Sequence, residues 1–96
     1  MQATFTPLPQ NISRSALTNL LGDLSRRETV LHAMISRFES NYGMTLDALE
    51  SRLSQGQGQE HPDWEDSIEW QNALEELQRA DLMKSVLEWL LRSTTR

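Results

Sequence analysis

Residues 17–42 read LTNLLGDLSRRETVLHAMISRFESNY. Within them Leu17, Leu21, Leu24, Glu28, Leu31, Ile35, Phe38 and Tyr42 follow alternating steps of four and three. That is a heptad seam with one polar interruption, Glu28, and it predicts a long amphipathic helix. Ser13 or Ser15 is placed to cap its first N–H groups, and the pattern runs to about Tyr42. Leu20, Val30 and Met34 widen the stripe, as for a helix packed in a bundle. Gly22 lies inside the pattern at a cost of roughly 1 kcal/mol against alanine, which predicts either a close helix crossing or a mild irregularity. About 30 helical residues span roughly 45 Å, so the molecule is expected to be elongated.

Outward from this helix, Gly43 is a stop signal, free to take the left-handed conformation. Thr45 then caps a short helix from Leu46 to about Leu53, with Met44 and Leu49 spaced for a hydrophobic staple. Residues 54–62, SQGQGQEHP, read as a flexible connector. Asp63 is the expected cap of a third helix, with Trp64, Glu65 and Asp66 in its first turn, where carboxylates favour the helix dipole. Its apolar stripe is Trp70, Ala73, Leu74, Leu77, Ala80, Met83, Leu87, Leu90 and Leu91. A second line, Leu82, Val86 and Trp89, opens on another side and marks self-association, unless the first helix and the N-terminal arm cover both sides. Continuity of this helix through Arg79, Ala80 and Asp81 is left open by the pattern. Upstream, Pro7 and Pro9 keep residues 1–12 extended, an arm that can dock through Phe5, Leu8 and Ile12. The fold expected is all-α: long helix, short helix, long helix in one domain over residues 13–96. It forms an elongated antiparallel hairpin or small bundle that dimerises.

Charge is placed rather than spread. From Glu60 to Asp81 there are eight acids and one base, Arg79, a local charge of −7 against −5 for the whole chain. The same segment presents Trp64, Ile68 and Trp70. A negative, aromatic-bearing helix attracts a basic partner and repels nucleic acid. The expected partner contacts are Trp64, Glu65, Asp66, Glu69 and Trp70, although both tryptophans can instead close the core against the first helix, which is the favoured place for Trp70. With 38% hydrophobic residues the apolar supply is lean for 96 residues, which again favours an open helical form completed by a second chain. No cysteine is present, so disulfides and thiolate metal sites are excluded. No apolar run approaches the ~20 residues of a membrane span, and the first residues lack a basic and apolar leader pattern. A cytoplasmic location is the expectation.

Patterns for chemistry are sparse. Glu60, His61, Asp63, Glu65, Asp66 and Glu69 gather carboxylates around one histidine, but catalytic metal sites draw at least three ligands from set positions, often two of them histidine. A capped acidic helix start accounts for them better, with metal sensing through His61 as a remote alternative. His32 borders the apolar seam as a boundary residue. Gly56 and Gly58 precede no Lys-Ser/Thr, so there is no phosphate-cradling loop. Arg14, Arg26 and Arg27 make at most a minor basic spot, whereas a DNA reader needs a basic face. The expectation is a non-enzymatic protein with no cofactor and no bound metal.

Two segments carry a family resemblance. The phrase from Phe38 through Tyr42-Gly-Met-Thr-Leu46 to Leu53 sits on a helix–Gly–helix joint. It is followed by Asp63 to Leu77, an acidic helix containing Glu69-Trp70. Together they resemble small helical antitoxin-like members of bacterial and archaeal toxin–antitoxin pairs. The resemblance implies a helical protein that neutralises a small basic toxin, such as a nuclease, with Glu69, Trp70 and the surrounding acids as contacts. The chain departs from many such proteins in having no recognisable DNA-binding arm. The alternative is a self-assembling coiled-coil scaffold.

Overall fold

A computed structural model describes residues 13–57 and 62–93. The arm expected over residues 1–12, and Glu60 and His61 of the connector, lie outside the described residues. Three helices follow in order: α1 (Arg14–Tyr42), α2 (Leu46–Ser54) and α3 (Asp63–Ser93). Among the described residues there is no strand. The axes extend 59 × 33 × 16 Å with a radius of gyration of 19.4 Å, well above the ~12–13 Å of a compact chain of this length. Among the described residues, α1 and α2 are the helices packed on α3.

Local signals act as the sequence predicts at α1 and α2. Ser13 caps α1, its hydroxyl accepting from the Ala16 N–H at 2.9 Å. Gly43 ends it in the left-handed conformation (φ 63°), its N–H donating to the Glu39 carbonyl. Thr45 caps α2, accepting from the Ala48 N–H at 3.2 Å. The start of α3 differs by one residue. The Pro62 carbonyl accepts the first helical bond, from the Asp66 N–H at 2.8 Å, so Asp63 is the first helical residue rather than the cap. The Asp63 carboxylate instead accepts from the Tyr42 hydroxyl. α3 runs unbroken through Arg79, Ala80 and Asp81.

α1 and α3 pack antiparallel, held at one end by Arg14 on the Leu91 carbonyl (3.0 Å) and at the other by Tyr42 on Asp66 (2.6 Å). The heptad seam faces α3: Leu17, Glu28, Leu31 and Ile35 are buried, and Leu21, Leu24, Phe38 and Tyr42 are half-buried. The core is concentrated at the α2 end, where Leu31, Ile35, Leu46, Leu49, Trp70 and Ala73 cluster. Met34, Phe38, Tyr42, Met44 and Leu53 pack around them. Toward the other end the core narrows to Leu17, Ala80 and Leu87.

Three expectations are corrected. Leu20 and Val30 do not widen the buried stripe of α1, because one neighbouring helix covers only a narrow seam and leaves them nearly half exposed. Met83 falls off the α3 stripe and is exposed for the same reason. Gly22 permits no close crossing, since an added Cβ would meet only the mobile end of Arg26 at ordinary contact distance.

Candidate functional site

The acidic start of α3 is positioned by α2 and by the end of α1. Trp70 is the pivot. At 1% exposure it stacks on Phe38 (ring centroids 5.6 Å apart, planes at 15°) and on Tyr42 (6.2 Å, 26°). Aromatic burial of this kind fixes the first two turns of α3 against α1. Trp70 is therefore withdrawn from the expected contact surface, because a side chain this enclosed has nothing to offer a partner.

The remaining expected contacts divide by azimuth, as successive helical residues turn by about 100°. Asp66 points inward and accepts from the Tyr42 hydroxyl. Burial and the Asp66 and Asp63 carboxylates push the Tyr42 hydroxyl far above its ordinary pKa, so it stays a donor. Trp64 stands outward at 57% exposure beside Ile68 at 46%, forming with Leu53, Ser54 and Glu50 of α2 a groove of about 270 Å³. Glu65 and Glu69 are exposed on the adjoining flank. There Glu69 borders a second groove, of about 230 Å³, with Met34, Asn72 and Glu76. Ile68 is absent from the sequence-based contact set. Its position four residues from Trp64, on the same face, is the signal that identifies it.

Glu76 is engaged by Arg27, which makes a two-pronged ion pair at 2.5 and 2.9 Å. The pair lowers the Glu76 carboxyl below its ordinary range and raises the guanidinium. Arg26 pairs with Asp23 and Arg14 is tied to Leu91. The minor basic spot weighed from the sequence is thus made of arginines already engaged, Arg14 and Arg27 across the hairpin and Arg26 within α1.

Glu28, the polar break in the seam, is 9% exposed and accepts from Lys84 Nζ at 2.8 Å. Its other carboxyl oxygen is buried without an amine, amide or hydroxyl donor and lies against the Asp81 carboxyl. The interaction with the Asp81 carboxyl, and then Lys84, holds Glu28 below the ordinary carboxylate range, while the same interaction pushes Asp81 up. Among the described residues no three or more histidine, aspartate or glutamate side chains are arranged to hold a metal. No described helix is long and apolar enough to cross a membrane.

The second line of α3 is displayed in full. Leu82, Val86 and Trp89 are 68%, 45% and 57% exposed, on the side turned away from α1. They continue the azimuth of Trp64 and Ile68, so five of the eight large exposed apolar side chains among the described residues lie on one stripe. Compared with known proteins, the chain matches no family model, no curated protein and no solved structure.

Proposed function

We propose that this chain is a non-enzymatic protein-binding module that neutralises a small basic protein, in the manner of an antitoxin, through the acidic first turns of α3. The observation that carries the reading is the exposure of Trp64 and Ile68 beside the exposed carboxylates Glu65 and Glu69. Buried aromatic area supplies affinity, and flanking charge supplies orientation and on-rate toward a basic surface. A nuclease, whose phosphate-binding surface is basic, fits that chemistry. Trp64, Ile68, Glu65 and Glu69 make the contact. Asp66 and Trp70 hold its backbone in place.

The test is capture from a lysate of the native source at low ionic strength. Immobilised wild-type protein should retain one small basic protein, released by salt. Glu65→Lys with Glu69→Lys should abolish retention while leaving helix content intact, since both side chains are exposed. Retention unchanged by that reversal overturns the reading. A second reading, self-assembly as a scaffold, is favoured by Leu82, Val86 and Trp89, and the two are compatible in one cytoplasmic protein.

A further inference from the structure

We propose that α3 pairs antiparallel with α3 of a second copy of this chain, about a two-fold axis near residues 76 and 77. The pairing places Trp64 against the partner's Trp89, and Ile68 against the partner's Ser85 with Val86 beside it. This deepens the self-association named above and does not depend on a basic partner.

The stripe has the form that such an axis demands. Ile68, Glu75, Leu82 and Trp89 are seven residues apart, and Trp64, Gln71 and Gln78 interleave with them at steps of four and three. This is a second heptad seam, facing opposite to the one packed on α1. Its apolar residues sit at both ends and its polar residues in the middle. Turned end for end, tryptophan meets tryptophan at each end, Ile68 meets Ser85 with Val86 beside it, Gln71 meets Leu82, and Glu75 and Gln78 meet near the axis. A two-fold interface requires this self-complementarity, each contact occurring twice.

Charge sets the direction. From Asp63 to Leu77, α3 carries six carboxylates and no base; from Gln78 to Ser93 it carries three bases and two acids. A parallel pair would stack one acidic half on the other. The antiparallel pair lays each acidic half beside the less acidic half of its partner, and brings Glu75 to the partner's Arg79 on both sides of the axis. The helix dipoles are also opposed, as in the α1–α3 hairpin. The seam from Trp64 to Trp89 runs about 38 Å, so the contact spans about seven turns.

Pairing covers Trp64 and leaves Glu65 and Glu69 on the open flank. A basic partner that uses Trp64 therefore competes with the second copy. Self-association becomes a means of holding the neutralising surface in reserve.

Because the chain has no cysteine, single cysteines report the register. Gln71→Cys and Leu82→Cys variants, mixed in equal amounts under mild oxidation, should form a mixed disulfide dimer. Each variant alone should not, because the two copies of either position lie about 16 Å apart along the axis, beyond disulfide reach. Light scattering should give twice the chain's 11.1 kDa for wild type. It should give the single-chain mass for Leu82→Glu with Trp89→Glu, at unchanged helix content, since both side chains are exposed in the monomer. A wild-type monomer at hundreds of micromolar overturns the proposal. So does self-crosslinking of Gln71→Cys alone, which marks a parallel pair, or a dimer that survives the double substitution. Failure of the capture reading shows separately, in the Glu65 and Glu69 reversal.

Discussion

Replacing Trp70 by alanine removes the side chain on which the α2 end of the molecule converges. The residue is 1% exposed, stacks on Phe38 and Tyr42, and belongs to a cluster drawn from α1, α2 and α3. Truncating a buried tryptophan costs ~3–5 kcal/mol, a range that includes lost area and the cavity left behind. A chain of this length holds ~5–14 kcal/mol in total. Trp70→Ala should therefore consume a large share of the stability, seen as a fall in the urea midpoint with the slope unchanged. Trp64→Ala, compared at a concentration that keeps the chain monomeric, is the matched control, because 57% exposure leaves little packing to lose and its cost should stay within ~0.5 kcal/mol. Fluorescence adds an independent readout. Within a single copy only Trp70 of the three tryptophans is shielded from water, so in the monomer its loss should leave a red-shifted, solvent-exposed emission in the folded variant. A cost below ~1 kcal/mol for Trp70→Ala, or an equal cost for Trp64→Ala, would refute the assignment of one tryptophan to the core and the other to the surface.

Gly22→Ala should stabilise the protein by about 0.5–1 kcal/mol in the same urea titration, since the helix gains propensity and the new methyl meets only the end of Arg26. Asp81→Asn should raise the melting temperature at pH 7 and leave it unchanged near pH 3. The folded-state pKa of Asp81 is raised by Glu28, so the native state binds the extra proton, and the Asp81 contribution to stability declines as pH climbs through that window from the unfolded value of ~3.9. The asparagine amide offers a donor toward Glu28 at every pH, so a wild-type and variant pair that melt in parallel across pH 3–7 would sink the Glu28–Asp81 interaction.

The hairpin was legible because its signals are local and one-dimensional. The α1 seam, the Ser13 and Thr45 caps and the Gly43 stop each act within a turn or two of chain, and each is where the spacing puts it. Burial across the hairpin was harder to read. A helix with apolar residues on two sides implies two neighbours, yet away from the α2 end the described residues supply one, which is why Met83, Leu20 and Val30 stay exposed. Glu28 reads as a flaw in the seam until Lys84 and Asp81, more than fifty residues away, are seen to meet it. The contact surface was half legible. Negative charge and tryptophans mark the start of α3, but composition does not carry azimuth. Azimuth is what sends Trp70 inward, ties Asp66 to Tyr42 and leaves Trp64, Ile68, Glu65 and Glu69 outside.

Capture from a native lysate with three baits side by side tests the functional claim most directly. Wild type and the Leu82→Glu with Trp89→Glu variant should each retain the same small basic protein, the variant at least as well because its Trp64 is no longer covered. The Glu65→Lys with Glu69→Lys variant should retain none. A basic protein held equally by all three baits, or by none, contradicts the account.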